Sequence, residues 1–317
     1  MISIGLIGCG AVVHGNYAQT LLGRDAYKVR YVCDTNASQA ASAARLFDAE
    51  ALALDALVEK ADAVIISTPP ATHATLVRAC LRPGVTILCE KPYMTSYSDA
   101  VEVCKLSHAC GARLYVGQFR RLFPQLDLAH KLVEAGVLGE LRAFSASEGG
   151  RFTWKAVSSY TTLDPTGGVL WDTGAHTLDM ALYAGGFGGD DIGTVTDIRL
   201  ERDKDEPSHD FHANFVVSTK NTDVAGRIHV SRREALPNVI SLSGSRGHLA
   251  FVAGLDDRVR LTTDKGSVVL RAERSYEQLM ECVDLQVRRI LLNQEADMFE
   301  ADNFVGQIKL IEALANA

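Results

Sequence analysis

No Cys-x-x-Cys pair occurs in this chain. Its seven cysteines, Cys9, Cys33, Cys80, Cys89, Cys104, Cys110 and Cys282, form an odd set without the spacing of a thiolate metal site or a disulfide framework. They are expected to act as small buried hydrophobes. No apolar run is long enough to span a bilayer, which argues against a transmembrane helix and a membrane partner. Residues Met1-Ile2-Ser3-Ile4-Gly5 lack the charged start and apolar stretch of a signal peptide, so a cytoplasmic location is expected. Positive charge is not in excess either: 32 Lys and Arg against 39 Asp and Glu leave a net charge of −7, which gives no electrostatic reason to expect nucleic acid. There is no internal repeat and no low-complexity linker. What is present, 47% hydrophobic and 22% charged residues over 317 positions, has the composition of a globular protein with room for two cores.

The first 120 residues alternate short β-branched runs with helical patterns, as successive βαβ units do. Strands are expected at Ile2–Ile7, Lys28–Cys33, Ala63–Ser67, Val85–Cys89 and Arg113–Val116. Helices are expected between them, near Ala11–Leu22, Ala37–Phe47, Ala71–Leu81 and Ser96–Cys110. Connections this short demand right-handed crossovers and a doubly wound parallel sheet. From about Phe123 the pattern changes: a helix over Pro124–Ala135, a strand near Glu140–Ser147, an irregular stretch, and a helix over Gly168–Tyr183. Beyond Gly185-Gly186, apolar Phe211, Ala213, Phe215 and Val217 alternate with polar neighbours, as do Val224, Gly226, Ile228 and Val230. Period-two alternation predicts antiparallel strands with one buried face. Helices near Tyr276–Leu292 and Asp302–Ala315 complete the expected elements.

Two sites emerge. Gly8-Cys9-Gly10-Ala11-Val12-Val13 follows the first strand and opens the first helix, the context of a dinucleotide fingerprint. Gly8 permits the turn, Gly10 lets backbone approach a pyrophosphate, and the helix amino terminus offers N–H groups to its charge. Val13 occupies the third glycine position, which predicts a slightly displaced helix. Asp34 ends the second strand, where a carboxylate accepts from a ribose 2′-hydroxyl and repels a 2′-phosphate. NAD is thus favoured over NADP; Thr35 and Asn36 leave dual use open. Thr68-Pro69-Pro70, after the Ile65-Ile66 strand, is expected to wall the same crevice. Glu90-Lys91-Pro92 follows the apolar run Val85-Thr86-Ile87-Leu88-Cys89 and sets an ammonium group at the carboxyl end of a buried strand, where parallel sheets hold ligands. Its competing reading is a surface lysine paired with Glu90.

The other is Gly167-Gly168-Val169-Leu170-Trp171-Asp172-Thr173-Gly174-Ala175-His176-Thr177-Leu178-Asp179. On a helix Asp172 and His176 share a face, and a histidine beside a carboxylate can exchange protons near neutral pH. A helix histidine with ordinary i,i+4 support is the competing reading. Gly174 argues against it, since glycine inside a helix costs about 1 kcal/mol relative to alanine and is expected to mark a close approach of backbone or ligand.

Together these motifs resemble the glucose-fructose oxidoreductase, inositol dehydrogenase and rhizopine catabolism (Gfo/Idh/MocA) family. Thr68-Pro69 with His73, Gly117-x-x-x-Arg121 with Pro124, and Gly136-Val137-Leu138-Gly139-Glu140 extend the resemblance. The resemblance implies an α/β protein: a Rossmann doubly wound parallel sheet over residues 1–120, plus a C-terminal α+β domain over 121–317 with an open, mainly antiparallel sheet for substrate binding and oligomerisation. It implies an NAD(P)-dependent oxidoreductase acting on a sugar, cyclitol or sugar derivative, working as a homodimer or homotetramer. Gly8 to Val13, Asp34, Thr35, Thr68, Pro69, His73, Glu90 and Lys91 would hold the cofactor. Lys91 would touch the reacting oxygen and the nicotinamide ribose, His176 would be general base or acid, and Asp172 would orient His176 or bind a neighbouring hydroxyl, with Asp179 supporting them from behind. These roles agree with hydride chemistry, which leaves a hydroxyl proton to remove and an alkoxide to stabilise. Two departures stand out: Tyr93 follows Glu-Lys-Pro where the family usually has a small aliphatic residue, and Pro70 stands where many members have asparagine.

Tyr93, Arg121, Arg151, Trp154, Lys155 and Tyr160 are candidate substrate contacts; Trp154 and Tyr160 can cover a sugar ring, while Arg151 and Lys155 can hold an anionic group. Solvated loop charges are the competing reading. His209-x-x-His212 is rejected as a metal pair, because alternation puts the two on opposite faces of a strand; no metal is expected. Alternatives to a dehydrogenase are a nonredox glycosidase-type enzyme with tightly held NAD and a cofactor-sensing regulatory protein on the same scaffold.

Overall fold

The computed structural model describes all residues except 152–165, 189–191, 203–209, 221–223, 255 and 274. Two compact units result. The described residues of the first are Met1–Gln118 and Val283–Val305, and those of the second lie within 119–282 and 306–317. The late segment Val283–Val305 therefore packs with the amino-terminal sheet, a pairing of distant chain that periodicity cannot register.

The first unit is built on a parallel sheet of β1 (Ile2–Ile7), β2 (Tyr27–Cys33), β3 (Glu50–Ala51), β4 (Ala63–Ile66), β5 (Thr86–Glu90) and β6 (Arg113–Gly117). Their order is β3-β2-β1-β4-β5-β6, so the winding reverses between β1 and β4. That reversal opens a crevice at the carboxyl ends of those strands, the usual seat of a ligand. The short β3 and the helix Leu54–Lys60 precede β4. Their pattern is too brief for periodicity to reveal. Ile4, Leu6, Ile65, Ile66 and Ile87 are fully buried, each worth roughly 1.5–3 kcal/mol of transfer free energy. Helices end where expected, with Gly111 capping Tyr97–Cys110 in the left-handed region.

The predicted first helix differs. After two α-helical residues it winds as a π-helix over Val13–Tyr17 and returns to α-helix at Ala18–Leu21. The wider turn begins at Val13, whose side chain is fully buried, in line with a valine replacing the glycine that would let a regular helix sit close to the strand.

The second unit holds an eight-stranded sheet, with β7 (Leu141–Gly149), β8 (Ile192–Arg202), β9 (Asp210–Thr219), β10 (Ala225–Ser231), β11 (Val239–Gly244), β12 (Gly247–Val252), β13 (Arg258–Thr263) and β14 (Gly266–Arg271) in the order β14-β13-β12-β11-β7-β10-β9-β8. All neighbours run antiparallel except β7 and β10. One face buries Phe144, Ala146, Ala213, Phe215, Val217, Ile228, Val230, Ile240 and Leu242. The helix Ala175–Ala184, buried along nearly all its length, belongs to this unit.

Candidate functional site

In the first unit the glycine turn leaves β1 as expected. Gly8 has φ of +86°, and a Cβ there would stand 2.8 Å from the Ser67 backbone, so only glycine fits. Gly10 has no atom within 4 Å of where a Cβ would be, leaving its backbone open to a ligand. Asp34 is tied into this turn: its carboxylate accepts from the backbone N–H of Cys9 at 2.7 Å and of Asn36 at 2.7 Å. Cys9 itself is buried, and burial, with Asp34 close by, pushes its thiol up to about 12, so it stays protonated and unreactive. Ala11 and Val12 are half-buried, while Thr35 and Pro69 are exposed. Thr68 Oγ1 lies 2.7 Å from Thr72 Oγ1 in the turn after β4.

Glu90 ends β5 and Lys91 follows it. The Tyr17 hydroxyl donates to Glu90 Oε1 at 2.6 Å, and the Lys91 backbone N–H donates to Oε2 at 3.1 Å. Burial pushes the Glu90 carboxyl up, against the Tyr17 hydrogen bond and the Lys91 charge that pull it down. Lys91 is half-buried and its bond to Pro92 is cis. The glutamate therefore braces the segment carrying the lysine to the first helix. At Gly117, opposite Glu90 in β6, a Cβ would crowd this carboxylate, 2.9 Å from Oε2.

Two expected contacts in this unit have other work. His73 is fully buried, with Nε2 2.9 Å from the Thr68 carbonyl and Nδ1 3.1 Å and 3.2 Å from those of Pro92 and Tyr93. It ties the turn after β4 to the segment after Lys91 and has no ring nitrogen left for a cofactor. Burial lowers its pKa below that of ordinary histidine. Tyr93, expected at the substrate, is 1% exposed with its hydroxyl 3.4 Å from Cys104 Sγ. Its aromatic ring fills core volume.

In the second unit the Asp172–His176 stretch is not one regular helix. Leu170–Gly174 is π-helical, with the Gly174 N–H donating to the Val169 carbonyl, and α-helix starts at Ala175. Asp172 is held by Arg232, whose Nη2 donates to Oδ2 at 2.8 Å. Arg232 comes just after β10, anchored through its backbone N–H to the Phe211 carbonyl. Sequence reading missed this arginine because the pairing joins residues 60 apart; its only trace was charge directly after an alternating run. His176 is 6% exposed, its ring edge-on to Phe119 at 6.1 Å.

Among the described residues no protein backbone comes unusually close to Gly174. A Cβ there would find Leu170 and Val169 at 3.4 Å, ordinary contact distance. The crowded glycine is Gly168, whose Cβ would collide with Asp210 Oδ1. Asp210 starts β9 and accepts from the Leu170 backbone N–H at 2.8 Å, thereby holding the entry to the π turn. Its carboxyl is raised by burial, opposed by that hydrogen bond and by Arg232.

Arg121, expected to meet substrate, is buried against Asp179, donating through Nε at 3.0 Å and Nη2 at 2.6 Å. Burial raises the Asp179 carboxyl, opposed by the Arg121 charge. The pair braces the helix that carries His176. A second brace escaped sequence reading: Glu148 of β7 accepts from Arg120 Nη1 at 2.8 Å and from the Thr177 hydroxyl at 2.7 Å. Arg151 is exposed. Trp154, Lys155 and Tyr160 lie outside the described residues, as does His209.

Comparison with known proteins agrees with both units. Residues 2–118 match the oxidoreductase family model with an NAD-binding Rossmann fold, and residues 127–269 match the GFO/IDH/MocA C-terminal domain. The chain is similar to inositol 2-dehydrogenase of Rhizobium meliloti, 29% identical over 187 residues, which cover 57% of this chain and 54% of that protein. It is also similar to D-glucoside 3-dehydrogenase of Escherichia coli, 28% identical over 194 residues, covering 59% and 54%. Matches to the curated relatives span between 32% and 59% of their own lengths. Among solved structures, an oxidoreductase from Agrobacterium radiobacter in complex with NAD+, L-tartaric acid and magnesium aligns with a TM-score of 0.79 at 22% identity, over 98% of this chain and 94% of that one. At that identity the likeness establishes the fold.

Proposed function

Because this chain belongs to the GFO/IDH/MocA family of oxidoreductases, whose amino-terminal domain is an NAD-binding Rossmann fold, we propose that it transfers a hydride between a nicotinamide and a hydroxyl-bearing carbon of a sugar, cyclitol or related polyol. The observation that carries this reading is the placement of Lys91 directly after β5, on the same sheet whose β1 and β2 end in the Gly8–Gly10 turn and Asp34. Residues 1–120 would serve the dinucleotide and residues 121–317 the substrate and self-association.

The dinucleotide residues fit such a cofactor, since Gly10 leaves backbone open and Asp34 directly follows β2. The bound nicotinamide supplies the hydride acceptor or donor. Lys91 stabilises the substrate oxygen as its negative charge grows, and His176 takes up or returns the hydroxyl proton. Asp172, oriented by Arg232, is a carboxylate for His176 or for a neighbouring substrate hydroxyl. Sugars and cyclitols are the substrate class because the relatives named above act, by their names, on inositol and a glucoside.

A polyol and keto-sugar panel followed at the NADH absorbance, with NAD and NADP in parallel, tests the reading. Lys91→Ala and His176→Ala are each expected to lower kcat by about 100-fold or more, the scale of a lost acid–base or oxyanion partner. Turnover intact in both variants would refute the assigned roles.

A further inference from the structure

We infer that β9 and β10 carry a site for a divalent first-row transition ion, zinc in the first instance, formed by His212, His229 and Glu234. In the antiparallel register His212 faces Ser231 and His229 faces Asn214, so the histidines are diagonal neighbours. Both lie on the sheet face opposite to the one that buries Ala213, Phe215, Ile228 and Val230. Their rings are 4.6 Å apart between centroids, and Nε2 of one stands 3.2 Å from Nε2 of the other. Two imidazole nitrogens around a tetrahedral zinc, each about 2.0–2.1 Å from the metal, are separated by about 3.3 Å. The pair is already close to that spacing.

Glu234 supplies a third donor. Its Oε2 lies 3.9 Å from His229 Nε2 and 3.9 Å from His212 Nδ1. The backbone after β10 holds it there, as the N–H groups of Arg233 and Glu234 both donate to Ser231 Oγ, at 3.1 Å and 2.9 Å. The adjacent Arg233 guanidinium sits over the Phe211 ring, 3.4 Å from its centroid. Two imidazoles and one carboxylate make an N2O set that suits zinc and disfavours magnesium or calcium, which take oxygen ligands. A water completes the tetrahedron. Among the described residues this is the group of histidine, cysteine and acidic side chains whose donor atoms converge within 4.8 Å. Sequence reading paired His212 with His209 and rejected both; the cross-strand partner, His229, is 17 residues on and visible only through register. Bound here, the ion would cross-link β9, β10 and the turn after them, independently of the proposed hydride chemistry.

Titration calorimetry of the full chain, stripped with chelator and then supplied with zinc chloride, tests the site. One equivalent of zinc per chain is expected, with a zinc-dependent rise in thermal midpoint. His212→Asn and His229→Asn should each abolish both effects, while melting like the parent in chelator. Because the chain has seven free cysteines, cobalt is a second probe, and its spectrum should show tetrahedral bands without a thiolate charge-transfer band. Absence of stoichiometric binding, binding unchanged in both asparagine variants, or a cobalt–thiolate band would each overturn the assignment.

Discussion

Asp34 accepts one backbone hydrogen bond from the glycine turn, at Cys9, and one from its own loop, at Asn36, so its substitution acts on both as well as on the proposed ribose contact. Asp34→Ala is expected to narrow or reverse the proposed preference for NAD over NADP and to weaken binding of both, as measured by nucleotide fluorescence quenching; an unchanged ratio would show that selectivity lies elsewhere. Arg121 and Asp179 make a sharper case, because both are almost wholly buried. Removing one partner strands the other's charge, and Arg121→Ala should destabilise by about 3–5 kcal/mol in urea unfolding. The double substitution Arg121→Met with Asp179→Leu should recover much of that loss, since it leaves no charge behind. His73 sets a pH dependence. Its pKa is lowered in the folded state, so the native protein binds fewer protons than the unfolded one as pH drops. Its contribution to stability is complete above the ordinary histidine value of 6.5 and is lost as pH falls below that value through the lowered one. Urea midpoints followed downward from neutrality should show this acid slope in the parent and a shallower one in His73→Gln.

The π turns at Val13–Tyr17 and Leu170–Gly174 are the elements where periodicity and structure part company. Both stretches read as helix, and both are helical, but the extra residue per turn changes which side chains share a face. Asp172 and His176 were expected to share a face of one regular helix; Asp172 lies in the wider winding, where Arg232 holds it, and His176 in the α-helix that follows. Glycine chemistry separates the two readings of this element. Gly174 has helical dihedral angles and room for a methyl group, so Gly174→Ala should raise stability by about 0.5–1 kcal/mol. Gly168→Ala should lower it by about 1–3 kcal/mol, because the new methyl displaces the buried Asp210 carboxylate from the Leu170 N–H. Thermal unfolding of the two variants side by side distinguishes these outcomes, and equal effects would contradict the geometry.

For the whole molecule, self-association is proposed from the second unit's sheet. Its terminal strand β14 is exposed along most of its length, and Val268 and Val269 there, with Val252 of β12, are about half exposed. An apolar strand at a sheet edge is normally covered. Light scattering coupled to gel filtration should give a dimer or tetramer, and Val268→Asp with Val269→Asp should shift it toward monomer; a parent already monomeric would refute the proposal. Among the described residues no helix is long and apolar enough to cross a membrane.

Local pattern determined a great deal here. The alternation of short apolar runs with helical stretches, Gly8-Cys9-Gly10, Asp34 at a strand end and Glu90-Lys91-Pro92 after another are all features within a few residues of chain, and each depends on backbone geometry that neighbours dictate. They determined a parallel sheet with a dinucleotide turn and, with Asp172 to Asp179, the family. Only the tertiary structure decided which polar side chains are consumed by other polar side chains. His73, Tyr93 and Arg121 are polar residues near motifs, and sequence offers no reason to bury them; the fold supplies carbonyl oxygens, a thiol and a carboxylate as their partners. Arg232 and His229 show the converse. Their partners lie 60 and 17 residues away: Asp172 in the π turn, and His212, set diagonally across from His229 by a strand register that follows from the hydrophobic face of the whole sheet.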